Sequence, residues 1–180
     1  MSTLQVGPAD GTLSLHTRVE GRAAKMGHDL TIVLSDWQAT ATVEDGAPTA
    51  LELRAVLSSL DPVKGEGGLK PLSDKDRASI RDNALETLRA GQHPEVVFTS
   101  SAVRPSASGY TVQGQLSIGG VERPAELELA VSDAGERLAL SAQVPVVQTE
   151  HGIKPYSAMM GGLRVRDRVE VRVEATIPRP

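Results

Sequence analysis

Histidine is the side chain best suited to acid–base or metal chemistry near neutral pH. This chain carries four: His16, His28, His93 and His151. They are scattered, with no His-x-His or His-x-x-x-His pair. No cysteine is present to complete a zinc set, form a disulfide or act as a thiolate nucleophile. A Gly-x-Ser-x-Gly elbow is also missing. Gly65-Glu66-Gly67-Gly68 lacks the Lys-Ser/Thr end of a phosphate loop and the strand–helix setting of a dinucleotide fingerprint. The residue pattern therefore offers no catalytic constellation, no metal set and no cofactor motif.

Three polar groups merit weighing one at a time. Gly27-His28-Asp29 precedes a long apolar-periodic stretch. His28 could stand at the mouth of a cavity, oriented by Asp29 or by backbone. The competing reading is a histidine that satisfies loop backbone groups, and one His with one Asp does not define an active site. In Gln92-His93-Pro94, Pro94 biases His93 towards extended backbone, so His93 reads as structural. Gly152-Ile153-Lys154-Pro155-Tyr156-Ser157 sets a cation and a phenol just before Met159 and Met160. Such a group could clasp the polar end of an amphiphile while Met160 adapts to its tail. It could equally be a turn with Lys154 solvated and Tyr156 packed.

The elements that must position these groups are mostly strands. Leu13, Leu15, Thr17 and Val19 alternate with Thr12, Ser14, His16 and Arg18. Val169, Val171, Val173, Ala175 and Ile177 alternate with charged and polar residues in the same way. That period of two predicts half-buried antiparallel strands. Further strands are predicted over 30–43, 50–57, 96–103, 110–118, 125–131 and 138–146, giving about eight in all. Strands of this length can curl into a barrel and so avoid exposed edges. One helix is predicted over 73–90. Ser73 caps it, Asp76 stands three residues later, and Ile80, Ala84, Leu85 and Leu88 form its apolar stripe. Gly91 and Pro94 are its expected stop. Residues 22–26 form a shorter helix-prone stretch. Residues 61–72, rich in Gly, Pro and Lys, read as a connector before the helix or as a mobile lid.

Composition narrows the function. The formal net charge of −4 argues against a nucleic-acid binder that relies on bulk attraction. Arg164, Arg166 and Arg168 read as a solvated strand face. No apolar run approaches the ~18 residues of a membrane span, and the N-terminal residues lack the pattern of a secretory signal. The expectation is one domain without an integral membrane segment, in the cytoplasm. The aromatic residues are Trp37, Phe98, Tyr110 and Tyr156. A pocket here must be walled by aliphatic side chains, which suit a flexible tail better than a stacked ring system.

Gly27-His28-Asp29-Leu30, Gln92-His93-Pro94-Glu95-Val96-Val97-Phe98, Gly114–Pro124 and Gly152–Ser157 follow one another along the chain. This order resembles the YceI-like family over about residues 11–177. The resemblance implies an all-β, lipocalin-like antiparallel barrel that holds an isoprenoid lipid or a quinone. It also allows a homodimer. The expected ligand-binding residues are His28, Leu30, Ile32, Leu34, Trp37, Leu53, Phe98, Leu116, Ile118, Lys154, Tyr156 and Met160, with Leu127 and Leu129 as further inward candidates. A hydrophobic small molecule is the expected partner, without cofactor or metal. A binding protein is favoured over an enzyme. The competing readings are an isomerase or cyclase using the same cavity, and a ligand-free stress-related scaffold.

Overall fold

The computed structural model describes residues 1–179. Its strands are β1 (Ser2–Val6), β2 (Gly11–Thr17), β3 (Val19–Glu20), β4 (His28–Leu34), β5 (Trp37–Glu44), β6 (Ala47–Val56) and β7 (Leu60–Gly67). The single α-helix, α1 (Asp74–Thr87), follows. Then come β8 (Glu95–Pro105), β9 (Gly109–Ile118), β10 (Val121–Ala134), β11 (Arg137–Val147), β12 (Ser157–Ala158), β13 (Leu163–Val165) and β14 (Arg168–Pro178). Eleven strands form one antiparallel sheet in the order β1-β5-β6-β8-β9-β10-β11-β14-β2-β4-β7. β12, β13 and β3 form a small second sheet.

Three pairs of these strands are single ribbons bent at a shared corner. β4 runs into β5 through Ser35 and Asp36, and β6 runs into β7 through a 3₁₀ turn at Leu57–Ser59. The ladder continues across the bend, where Val56 N–H donates to the Asp36 carbonyl (2.9 Å) and Ser35 N–H to that of Ser59 (3.4 Å). β1 and β2 make the third pair, pairing with β5 and β4 respectively. Each bent pair taken as one ribbon gives eight ribbons, and β14 against β2 closes the ring. Sequence periodicity sees the long ribbons, because a corner preserves alternation. It misses the bend, so 30–43 reads as one strand where two are found.

The helix closes what the sheet leaves open. β7 is a sheet edge, and α1 lies along it. Arg77 Nη1 donates to the Pro62 and Val63 carbonyls (3.4 and 3.3 Å), and Arg81 Nε donates to that of Leu60 (3.2 Å). The guanidinium groups thus occupy edge acceptors that would otherwise recruit another strand. Ser73 and Asp76 form the expected capping box. The stop differs from expectation. The helix ends at Thr87, and Arg89, with φ 54°, takes the left-handed position in place of Gly91. Ala90 N–H bonds the Leu85 carbonyl and Arg89 N–H that of Glu86, which is a Schellman motif. Residues 60–67 also depart from the sequence reading. They form β7, not an irregular connector, because pairing with β4 outweighs the weak strand preference of glycine and proline. The arginines are likewise split, with Arg164 on β13 and Arg168 on β14.

Glycine fixes two close approaches. Gly119 and Gly120, with φ 59° and 79°, make the two-residue β9–β10 hairpin turn, where paired left-handed residues match strand twist. A Cβ on Gly114 would clash with the Thr99 carbonyl and lie 2.7 Å from the Phe98 ring, so the bare backbone of β9 is what lets β8 and that ring come so close.

The main core joins Val6, Leu13, Ile32, Leu34, Trp37 and Leu60 with their neighbours. Trp37 is 3% exposed and its indole N–H has no partner among the described residues. Trp37→Ala should destabilise the fold by ~3–5 kcal/mol, read by urea unfolding. Trp37→Phe should cost much less, since it keeps most of the volume and removes an unpartnered donor. On the outer side of β2, His16 shares a hydrogen bond with Ser14 (3.0 Å). Burial, with Arg172 adding to it, holds the imidazole below its usual pKa, and Glu170 and Glu174 oppose that shift. Above pH 6.5 both folded and unfolded states are neutral here. Below it the unfolded chain takes the proton first, so stability should fall until the lower folded value is passed. His16→Gln should flatten that segment of a urea-midpoint profile measured either side of pH 6.5.

Candidate functional site

Alternation turns one face of every ribbon inward, and the inward side chains do not fill the barrel. They enclose a cavity of about 670 Å³. At ~30 Å³ for a water-sized group, that is room for roughly 20 such groups. The wall is aliphatic. Leu13, Leu15 and Thr17 come from β2, and Leu30, Ile32 and Leu34 from β4. Leu116 and Ile118 come from β9, Leu127 and Leu129 from β10, and Val171 and Val173 from β14. Helix α1 adds Ile80 and Ala84, and its C-cap adds Leu88.

Most of the residues expected from sequence meet at this cavity. His28, Leu30, Ile32, Leu34, Leu53, Phe98, Leu116, Ile118 and Tyr156 all line it. Trp37, Lys154 and Met160 do not. Trp37 is packed into the core behind the wall. Lys154 is exposed and apart from the lining, although Tyr156 two residues on belongs to it. Met160 stands almost wholly in solvent, on a turn that carries it away from the interior. The helix face, Val112, Val146 and Ile153 line the cavity as well. Their apolar character was legible, but which of them would face a void was not.

Besides Glu52 and the α1 residues Asp76, Ser79, Asn83 and Thr87, the lining holds two side chains with buried polar atoms, Thr17 and Gln148. Thr17 Oγ1 is buried and has no partner among the described residues. Gln148 is 8% exposed, and its Nε2 donates to the Arg166 carbonyl (3.0 Å). Arg166 N–H in turn donates to the carbonyl of Arg18, next to Thr17 (2.8 Å). The two polar groups are thereby tied to one stretch of wall. Gln148 escapes sequence reading because nothing local marks a glutamine as buried.

The lining residues that reach solvent are Met26, Leu69, Lys70, Ser79, Tyr156 and Arg164, and they mark the opening. His28 stands among them. Its Nε2 lies 2.8 Å from the Lys70 carbonyl. A carbonyl only accepts, so Nε2 carries the proton and donates. Gly68 packs on the same ring, and a Cβ there would lie 2.3 Å from Nε2. His28 thus latches the segment after β7 beside the opening. Asp76 is engaged by the Ser73 backbone and hydroxyl, which hold its carboxyl below the usual range.

His93 and His151 serve other contacts. His93 packs under the β9–β10 turn, where a Cβ on Gly120 would lie 2.6 Å from its ring. His151 is buried and its Nδ1 donates to the Val121 carbonyl (3.0 Å). Among the described residues, no three His, Cys, Asp or Glu side chains come together as a metal set. Also among them, no helix is long and apolar enough to cross a membrane.

Comparison with known proteins agrees with this architecture. The model of the YceI-like domain matches residues 12–177, and the chain belongs to that family. It is 30% identical over 123 residues to a UPF0312 protein of Yersinia enterocolitica. That alignment covers 67% of this chain but 58% of the relative, so the match spans less than two thirds of the relative's length. The crystal structure of Burkholderia cenocepacia BcnA superposes with a TM-score of 0.70 at 16% identity, over 95% of this chain and 98% of BcnA. A Campylobacter jejuni YceI protein does so with a TM-score of 0.60 at 13% identity, over 83% and 84%. At those identities the likeness is one of fold.

The latch generates a test. His28→Ala removes the donor to Lys70, and amide exchange over residues 68–72 should then accelerate. Exchange in β9 and β10 should stay unchanged, because those strands share no contact with the latch. Gly68→Ala should have the same local effect by displacing the ring, since φ +72° also disfavours a side chain. Equal protection in both variants would show that the segment is held by something else.

Proposed function

We propose that this member of the YceI-like family binds a long, mostly apolar amphiphile in the barrel, specifically an isoprenoid lipid or an isoprenoid quinone. The observation that carries this reading is the cavity of about 670 Å³ with its aliphatic wall. Its volume falls within the ~300–1,000 Å³ of small-molecule sites. Each methylene removed from water contributes ~0.8 kcal/mol, so ten of them supply ~8 kcal/mol, which corresponds to roughly micromolar affinity before ordering costs. A branched tail suits a wall of Leu, Val and Ile. Phe98 and Tyr156 are the aromatic residues in the lining, which favours a tail over a large flat ligand.

The polar end of the ligand is assigned to the upper wall and opening. Thr17 has an unused hydroxyl there, and it can donate to a quinone carbonyl or a prenol oxygen. Tyr156 and Lys70 border the same opening. With its proton committed to Lys70, His28 acts in this reading as a latch for the entrance and not as an acid.

Native mass spectrometry after gentle purification tests the proposal. The expected result is a co-purified lipid, or uptake of added ubiquinone or polyprenol by the emptied protein. Leu116→Trp and Ile118→Trp should block the tail path. Overpacking costs ~1–3 kcal/mol, so folding is checked in parallel by circular dichroism. Unchanged uptake in both folded variants would remove the cavity from consideration. Thr17→Val should weaken quinone binding by ~0.5–1.5 kcal/mol and leave a pure hydrocarbon unaffected.

A further inference from the structure

Seven large apolar side chains are conspicuously exposed among the described residues, and five of them gather on one rim: Met26, Leu69, Tyr156, Met159 and Met160. Leu69 is 75% exposed and Met160 98%. Contacts stitch the rim together. Leu69 adjoins Lys70, whose carbonyl accepts the hydrogen bond from His28 Nε2. Met26 is two residues before His28, and a Cβ on the intervening Gly27 would lie 2.6 Å from Leu163. Ala23 N–H donates to the Gly162 carbonyl (2.8 Å), which ends the turn carrying Met159 and Met160. That turn holds both methionines at left-handed φ, 53° and 55°, where long side chains are uncommon. The rim is continuous with the cavity, because Met26, Leu69 and Tyr156 line both.

Charge on the rim is lopsided. Arg22, Lys25 and Lys70 are exposed, and none has a carboxylate within salt-bridge distance among the described residues. Of the neighbouring acids Glu20 is ion-paired, while Asp29 and Asp76 are held by neutral donors and keep their charge, Asp76 within electrostatic reach of Lys70. Glu20 pairs with Arg164 (3.6 Å), Asp29 accepts from Val19 N–H (2.9 Å), and Asp76 accepts from Ser73. The chain as a whole is acidic, at −4, so this cationic collar is local.

We propose that this rim docks the cavity mouth onto an anionic phospholipid bilayer. Methionine and leucine tips enter the headgroup region, and the unpaired cations face lipid phosphates. An amphiphile could then pass between bilayer and barrel without crossing water. That purpose rests on the cavity being a lipid site, but the docking itself is measured separately.

The test is vesicle co-sedimentation of the full chain, with phosphatidylcholine vesicles alone or mixed with phosphatidylglycerol. Binding to mixed vesicles is expected, weakening at high salt as screening shortens. Met160→Asp suits the left-handed backbone and puts a carboxylate on the rim. Arg22→Glu with Lys25→Glu reverses the collar. None of these three residues lines the cavity. Each variant should bind mixed vesicles roughly tenfold more weakly, with unchanged ubiquinone uptake from detergent in native mass spectrometry. Wild-type protein that takes ubiquinone from detergent but ignores mixed vesicles overturns the docking and leaves the cavity reading standing. Vesicle binding without any ubiquinone uptake does the reverse. Binding unchanged in both variants places the docking face elsewhere and overturns the proposal. So does a concentration-dependent dimer that Met160→Asp dissolves in the absence of vesicle binding, since the rim would then serve a second copy.

Discussion

The structure depends on one constraint: a sheet must leave no run of backbone donors and acceptors unpaired. Here the sheet meets it by bending. Three ribbons turn at a common corner, and the ladder passes through the bend at Val56–Asp36 and Ser35–Ser59. A long sheet can therefore return on itself, with β14 meeting β2. Closure by backbone pairing does not require the interior to be filled. Ring size is set by the number of ribbons, and eight of them enclose more space than these side chains occupy. The cavity follows from the way the edges are satisfied.

Where bending exposes an edge, side chains take over. β7 has no strand on its outer side, and Arg77 and Arg81 of α1 reach its carbonyls. The helix is placed by those bonds, by the Ser73 capping box and by the Schellman turn at Arg89. Ile80, Ala84 and Leu88 of its stripe then become cavity wall, while Leu85 packs on the core. The same element that protects the edge thus shapes the site, and its two ends reach different histidines. Near the N-terminal end, the segment leading into α1 is latched by His28. Beyond the C-terminal end, the chain reaches His93 under the β9–β10 turn. The family-like phrases that look functional in sequence are largely joints between this helix and the barrel.

A wall so uniformly aliphatic has a consequence for selectivity. Burial of apolar surface is non-directional, so it grades ligands by size and flexibility more than by chemistry. Discrimination falls to the few polar groups that remain. Thr17 and Gln148 stand within the wall, Glu52 and the α1 residues Asp76, Ser79, Asn83 and Thr87 add further polar groups, and Lys70, Tyr156 and Arg164 stand at its opening.

Much of this was legible in the sequence, and the reason is periodicity. Leu13, Leu15 and Thr17, or Val169, Val171 and Val173, declare an inward face because a strand alternates whatever its partners. Ser73 and Asp76 declare a helix start because capping is local. The aliphatic residues of these ribbons could be named as inward because alternation alone turns them that way. Trp37, Lys154 and Met160 could not be sorted in the same way. Whether an apolar residue faces a void or a neighbour depends on how distant ribbons close, and whether a loop residue turns in or out depends on backbone torsions such as those at Met159 and Met160. The bend at Ser35, the pairing of glycine-rich β7 and the burial of Gln148 are long-range outcomes too. Local composition determined the faces of the ribbons, and only the tertiary structure decided what each face encloses, because closure couples residues that no sequence window contains.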